Sequence, residues 1–231
     1  MTNSSKFAHP PSPKPPAPSS DRRQRRSAEI RERLFRASLA LFARKGFVET
    51  TVEDITEAAD VGKGTFFNYF PSKDHILLAF GEMQLGKLEA AVEAARRTNE
   101  PMPQFLRSLG VRMTQEPTRN PEIIRALLQA YLSTTPVREA MLDLQKRVHA
   151  LHAEMIRLGQ RQGEIRDDLP AEEIAYVFRQ TIFGTLLIWS LYGDATLHSR
   201  IESAFNLLWT GMAPRSGVTT PPAGPLPIAG D

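Results

Sequence analysis

The sequence predicts an all-α protein of about nine helices, three in a small N-terminal unit and six in a larger one. Three observations carry that reading. Apolar residues recur at spacings of three and four in every periodic segment, and no stretch alternates with period two for long enough to propose a sheet. Helix starts repeat one formula, proline near the first helical position with acids soon after, in "NPEIIRALLQAYL" and "LPAEEIAYVFRQTIFGTLLIWSLY". Residues 62–73, "GKGTFFNYFPSK", place two glycines in three residues, then four aromatics in five, then a proline. Glycine costs about 1 kcal/mol against alanine inside a helix. That stretch is therefore either a loop between helices or a short helix whose start lies against something too bulky for side chains.

With 231 residues, 41% hydrophobic and 24% charged, the chain has the balance of a globular protein with a real core. No apolar run reaches the ~18 to 20 residues that span a bilayer, and the start "MTNSSKFAHPPSPKPPAPSS" lacks a signal peptide's apolar stretch, so a cytoplasmic location is expected. The absence of cysteine removes disulfides, thiol catalysis and cysteine-rich zinc sites. A net charge of +3 conceals an asymmetry: Arg22, Arg23, Arg25, Arg26, Arg31, Arg33 and Arg36 are offset between them only by Glu29 and Glu32. Such a segment suits a polyanion, either nucleic acid or an acidic membrane surface.

In chain order, residues 1–20 and 213–231 are rich in Pro, Ser and Ala and are expected to be disordered tails. The first helix is expected over 27–45, with Ile30, Leu34, Ala37 and Leu41 on one face and Gly46 as its stop. Thr50 and Glu53 have the spacing of a capping box for a short helix over 51–59, facing inward through Val52, Ile55 and Ala59. Asp60, Val61 and Gly62 break it. A third helix runs from Lys63 to Phe70, Pro71 stops it, and Ser72 is expected to cap a fourth that reaches Arg97. Further helices are expected near 102–116, after Pro121, Pro136 and Pro170, and after Asp194, which can cap the last. The expected division is 21–72 for the first unit and 73–212 for the second.

Helix, short helix, three-residue turn and short helix within about fifty residues is helix-turn-helix order. On the third helix Phe66 and Phe70 face the core. Lys63, Thr65, Phe67, Asn68 and Tyr69 occupy the remaining surface, a mixture that contacts phosphates, base edges and thymine methyls. Bare backbone at Gly62 and Gly64 lets amides at the helix start approach a phosphate. Taken singly, the aromatics are a packing cluster, the arginines a solvated face and the glycines turns; their order together points to a groove-reading module.

The stretch "TTVEDITEAADVGKGTFFNYFPSKDHILLAF" resembles the DNA-binding signature of the tetracycline-repressor (TetR) family, of the form T-T-x-x-x-I-A-x-x-A-G-V-S-K-G-T-x-Y-x-Y-F-x-S-K-x-x-L, and the resemblance covers about residues 27–80. Thr56 stands where the family has alanine, Asp60 where it has glycine and Phe67 where it has tyrosine, which removes a phosphate-binding hydroxyl. The resemblance implies backbone and phosphate contacts from Thr51, Gly62, Gly64, Tyr69 and Lys73, and groove contacts from Lys63, Thr65, Phe67 and Asn68. Arg22 to Arg26 are expected to add a flexible arm. It also implies double-stranded, palindromic operator DNA as partner, a small-molecule effector in the second unit and a homodimer through the last two helices.

Apolar groups surround almost the whole of "YVFRQTIFGTLLIWSLY", more than one buried face requires, and Gly184 permits close approach by a partner helix. Phe105, Leu109, Met113, Leu127, Tyr131, Met155, Phe178 and Ile182 are the candidate pocket residues, although apolar residues at helical spacing also make plain core. His149 and His152, three apart, lack an evident third ligand, so no metal site, cofactor or catalytic arrangement is expected. The expected function is a ligand-responsive transcriptional regulator that a small molecule releases from its operator, and not an enzyme. The alternative is a helical enzyme or scaffold whose basic N-terminus docks on membranes.

Overall fold

The computed structural model describes residues 20–98, 100–115, 120–132, 135–192 and 197–215. Within them the chain forms nine helices and no strand: α1 Ser20–Lys45, α2 Val52–Ala58, α3 Lys63–Phe67, α4 Asp74–Arg97, α5 Met102–Met113, α6 Pro121–Tyr131, α7 Thr135–Arg161, α8 Ala171–Tyr192 and α9 Leu197–Met212. Residues 1–19 of the tail expected over 1–20, and 216–231 of that expected over 213–231, lie outside the described residues, as does Asp194, while Ser20 opens α1.

Local chemistry explains where these helices start and stop. α1 begins seven residues before the expected start, because "SDRRQRR" holds no glycine or proline and continues the helix in good helix formers. Arg22, Arg23, Arg25 and Arg26 therefore stand exposed on a helix, not on a flexible arm. Gly46 ends α1 at φ +84°, its N–H donating to the Phe42 carbonyl at 3.0 Å, and the Phe47 ring then packs edge-on to Phe42. The capping box lies one residue beyond the expected pair. Thr51 accepts from the Asp54 N–H, and Asp54 accepts from the Thr51 N–H. Thr50 is buried instead, its hydroxyl donating to the Gly46 carbonyl at 2.7 Å. Asp60 makes the turn at φ +51°, the left-handed conformation that aspartate tolerates. α3 closes at Phe67, with Asn68 and Tyr69 in a turn. Ser72 does not cap α4; its hydroxyl bonds the side chains of Asp74 and His75.

Two apolar clusters fill the interior. The first joins Leu34, Phe42, Ile55, Phe66 and Phe70 to Ile76, Leu77 and Phe80 on α4, Ile123 on α6 and Met141 and Leu144 on α7. The helix-turn-helix unit is thus fused through α1 and α4 to the helices behind it, and the cluster runs across the 72/73 boundary. The second joins the far half of α4 to α5, α7, α8 and α9 through Leu88, Phe105, Met155, Phe178 and Phe205. α7 packs on α4, α6 and α8, and α8 packs on α6 and α9. Although no segment was expected to be long and apolar enough to span a bilayer, the 22-residue α8 reaches that length and composition. Its apolar residues divide between the interior and an exposed face.

Gly159 shows how closely α7 meets the following loop. A Cβ there would lie 2.6 Å from Ile165 Cδ1 and 3.0 Å from Met102 Cγ, while the Glu164 and Ile165 N–H groups donate to the Gly159 carbonyl. Alanine favours a helix by about 1 kcal/mol, but overpacking a filled site costs about 1 to 3 kcal/mol. Gly159→Ala is expected to lower the urea midpoint of the full chain; an unchanged midpoint would mean that Ile165 moves aside freely.

Candidate DNA-reading face and ligand cavity

The face at α3 is built from the inside out. Phe66 is fully buried and Phe70 nearly so, with ring centroids 5.9 Å apart, and together they seat α3 on the core. Seating them that way turns Lys63, Phe67 and Asn68 outward, Phe67 to 50% exposure, with Thr65 and Tyr69 half-buried at the edge. Gly62 is the N-cap in extended conformation, and a Cβ added at Gly64 would meet nothing within 4 Å. Neither position needs glycine for the chain's own packing or for a positive φ. The bare backbone faces open space.

Charges order the rim. Lys45 Nζ lies 2.6 Å from Asp54 Oδ2, and this hydrogen bond, followed by those from Thr51, holds the Asp54 carboxyl well below the usual carboxylate range. Glu53, expected in the capping box, pairs with Lys63, whose ammonium holds the Glu53 carboxyl below its ordinary value. Both partners are exposed, so water screens the pair and a competing anion can displace Glu53.

Lys73 differs from the other cations of this region. Its ammonium donates to the carbonyls of Phe47, Val48 and Thr50 at 2.8, 3.1 and 3.0 Å, and sits 4.5 Å above the Phe47 ring. Burial pushes its pKa down. The side chain ties the α1–α2 connection to the first turn of α4.

The second site is a cavity of about 200 Å³ walled by α4, α5, α6, α7 and α8. Of the expected residues Leu109, Met113, Leu127, Tyr131, Phe178 and Ile182 line it. Phe105 and Met155 do not; both are buried in the second apolar cluster, one turn further along α5 and α7 from the lining residues Leu109 and His152. The polar lining was missed by sequence reasoning: Gln84, Thr114, Gln145, His152 and Arg179. Only their helical spacing from apolar neighbours, such as Arg179 beside Phe178 and three before Ile182, signalled an inward direction.

His152 is paired through Nδ1 with the Val148 carbonyl at 2.8 Å, and its ring lies 5.7 Å from that of Phe178. His149 turns elsewhere, edge-on to Tyr176. Burial lowers the His152 pKa to about 4, helped by the nearby positive charge of Arg179 and opposed by the Val148 hydrogen bond.

A helix-turn-helix unit on a helical body with an apolar cavity is the architecture of a DNA-binding regulator, and the comparisons agree. Residues 34–80 match the model for "Bacterial regulatory proteins, tetR family". The chain is 26% identical over 182 residues to the HTH-type transcriptional repressor KstR of Mycolicibacterium smegmatis, covering 78% of this chain and 87% of that one. It is 30% identical to Thermus thermophilus FadR, a TetR family transcriptional repressor solved in complex with lauroyl-CoA, with a TM-score of 0.62 over 83% of this chain and 98% of that one. FadR of Bacillus halodurans, 18% identical with a TM-score of 0.66 over 78% of this chain and 98% of that one, shares the fold. The chain belongs to the TetR family of transcriptional regulators. It is a ligand-responsive, DNA-binding transcriptional repressor.

Two outcomes follow from this geometry. Lys73→Met, which keeps the stem and removes the donors, is expected to cost about 1 to 3 kcal/mol in thermal or urea unfolding, because three carbonyls lose a charged partner. A parent-like melting temperature would show that water replaces the ammonium without loss. For His152, the unfolded ring takes up a proton near pH 6.5 and the folded ring only near pH 4. Between those values the unfolded state binds more protons, so stability falls as pH falls, by up to about 3 kcal/mol across the window. His152→Leu is expected to flatten that dependence in urea unfolding measured from pH 7 to pH 4, and an unaltered slope would assign the acid sensitivity to other groups.

Proposed function

We propose that the protein represses transcription as a cytoplasmic homodimer on a palindromic operator, and that a small apolar or amphipathic molecule in the cavity releases it. Catalysis has no part in this reading. The observation that carries it is the course of α4. Lys73 bolts its first turn to the reading unit, and Phe80, Gly81, Gln84, Leu85 and Leu88, further along the same helix, wall the cavity. A molecule that shifts α4 therefore shifts the reading face. By linkage, a coupling of about 1 to 3 kcal/mol changes operator affinity about 5- to 150-fold, and the operator weakens the effector equally.

In this reading Lys63, Thr65, Phe67 and Asn68 enter the groove, while Thr51, the backbone at Gly62 and Gly64, and Tyr69 meet phosphate. Glu53 holds Lys63 until DNA replaces it. Lys73, with all three donors used on carbonyls, serves by holding the unit in place. The exposed arginines of the first turns of α1 add phosphate contacts from a rigid helix. The relatives named as repressors, and the lauroyl-CoA bound to the Thermus protein, support a repressor whose effector carries a hydrocarbon chain.

An apolar face on α8 and α9 supports the dimer. Tyr176, Val177, Ile188, Leu191, Tyr192 and Leu207 are all about half or more exposed, up to 76% at Leu207, and a Cβ at Gly184 would meet nothing within 4 Å. Replacing Ile188 and Leu191 together with aspartate is expected to give a folded monomer by sedimentation and to abolish gel shifts with a palindromic promoter fragment, since one short recognition helix makes too few contacts alone. Tight sequence-specific binding by that monomer would overturn the proposal.

A further inference from the structure

We infer that the cavity is built for an anionic amphiphile, a straight-chain carboxylic acid in its ionised form, held head-first by Arg179 and Tyr131. This rests on the regulatory reading above and names the ligand class for the same cavity. The lining is almost wholly apolar and contains no aspartate, glutamate or lysine among the described residues. Within it lies one permanent charge, the Arg179 guanidinium, whose described partners are both neutral. Nη1 donates to Gln145 Oε1 at 2.7 Å, the guanidinium carbon lies 5.7 Å from the Tyr176 ring centroid, and the buried Nε has no acceptor. The Arg179 side chain is half-buried, and a charge partly withdrawn from water without a counter-charge carries a cost. Arginine accepts no hydrogen bond, so the Gln145 oxygen must be the atom that faces it.

That choice determines the next one. With its oxygen on Arg179, Gln145 turns its amide nitrogen to Tyr131, and Nε2 donates to the Tyr131 oxygen. The phenol oxygen is then an acceptor toward Gln145, and its own proton remains to be given away. Burial raises the Tyr131 pKa, so the proton stays on. Arg179, Gln145 and Tyr131 form a chain of donors running in one direction, with the terminal guanidinium N–H groups other than the one on Gln145 at one end and the Tyr131 O–H at the other. Nothing along it offers an acceptor to a ligand apart from oxygen atoms already engaged. A neutral alcohol head would use one such donor; a carboxylate, with two oxygens and a negative charge, uses both and neutralises the guanidinium. The other titratable group of the lining, His152, supplies no charge at neutral pH. The hydrocarbon tail then runs along Leu109, Met113, Leu127, Phe178 and Ile182.

The test titrates the full-length protein calorimetrically with straight-chain carboxylates from octanoate to palmitate, with the primary alcohols of the same lengths, and with lauroyl-CoA. On the unaltered protein one or more carboxylates are expected to bind about ten- to a hundredfold tighter than the matching alcohol, the range for a hydrogen bond to a charged group. Arg179→Gln is expected to abolish that preference by weakening the carboxylate while leaving the alcohol in place, and Tyr131→Phe to reduce it. Retained alcohol binding shows that the variants are folded. If Arg179→Gln does not fold, the acid-to-alcohol ratio on the parent and on Tyr131→Phe decides. Equal binding of acid and alcohol at every length, binding of lauroyl-CoA alone, or a carboxylate affinity unchanged by Arg179→Gln would each overturn the inference. Gel shifts run in parallel separate it from the regulatory reading. Release of the operator by alcohols as readily as by acids defeats only the head-group assignment, whereas a preferred acid that leaves the operator bound defeats the regulatory reading and spares the site.

Discussion

Three carbonyls at the end of the α1–α2 connection point at one ammonium group, and the rest of the molecule's mechanics depends on that arrangement. Phe47, Val48 and Thr50 carry carbonyls without helical partners, since α1 ends at Lys45 and α2 begins at Val52. Lys73 satisfies all three from the start of α4, with the Phe47 ring beneath it, while Phe66, Phe70 and Ile76 share one apolar cluster. The turn, the reading helix and the first turn of α4 are thereby one body. That tie adds directed hydrogen bonds to the apolar cluster that already joins the unit to α4.

Further along, α4 has little freedom to absorb a displacement. At Gly81 the backbone meets α7 so closely that an added Cβ would lie 2.4 Å from Leu144 Cδ2, and both residues belong to the cavity wall. Packed interiors transmit strain instead of compressing. A ligand entering between α4 and α7 must therefore move one helix against the other, and α7 is held on its far side by α8. α4 is the element whose movement reaches the reading unit, since its first turn is tied there by Lys73.

Much of this was legible in the sequence wherever one side chain's chemistry decides the outcome alone. Gly46 and Asp60 take their left-handed conformations as their positions require, Phe66 and Phe70 face inward four residues apart, and the helix order follows periodicity. The failures have a common physical form: two local solutions differ little in energy, and a distant partner chooses. Thr50 with Glu53 and Thr51 with Asp54 both have capping spacing; Lys45 stabilises Asp54, Lys63 draws Glu53 away, and burial claims Thr50. Ser72 has the composition of a cap, but its neighbours Asp74 and His75 take its hydroxyl. Phe105 shares a face of α5 with Leu109, and Met155 a face of α7 with His152, so only position along the helix axis separates core from cavity, and periodicity does not encode that. The donor chain from Arg179 to Tyr131 joins α8, α7 and α6 across 34 and 14 residues of sequence, a distance no local pattern encodes.

One helix serves two faces, and this bears on how a signal reaches the partner in the proposed dimer. Along α8, Phe178, Arg179, Ile182 and Leu186 turn to the cavity, while Tyr176, Val177, Ile188 and Leu191 turn out to the exposed apolar face. Phe183 belongs to both, lining the cavity edge-on to Tyr131 and remaining 38% exposed. A ligand that pulls Arg179 toward a charged head therefore loads α8 and α4 at once. The α8 face is broad and apolar, so sliding there exchanges one apolar contact for another at small cost. The α4 start is pinned by directed hydrogen bonds that have no alternative register. Under one load the element free to slide yields and the pinned element carries its attached body with it. In the proposed dimer each reading head then moves with its own α4, the geometry that breaks both half-site contacts together.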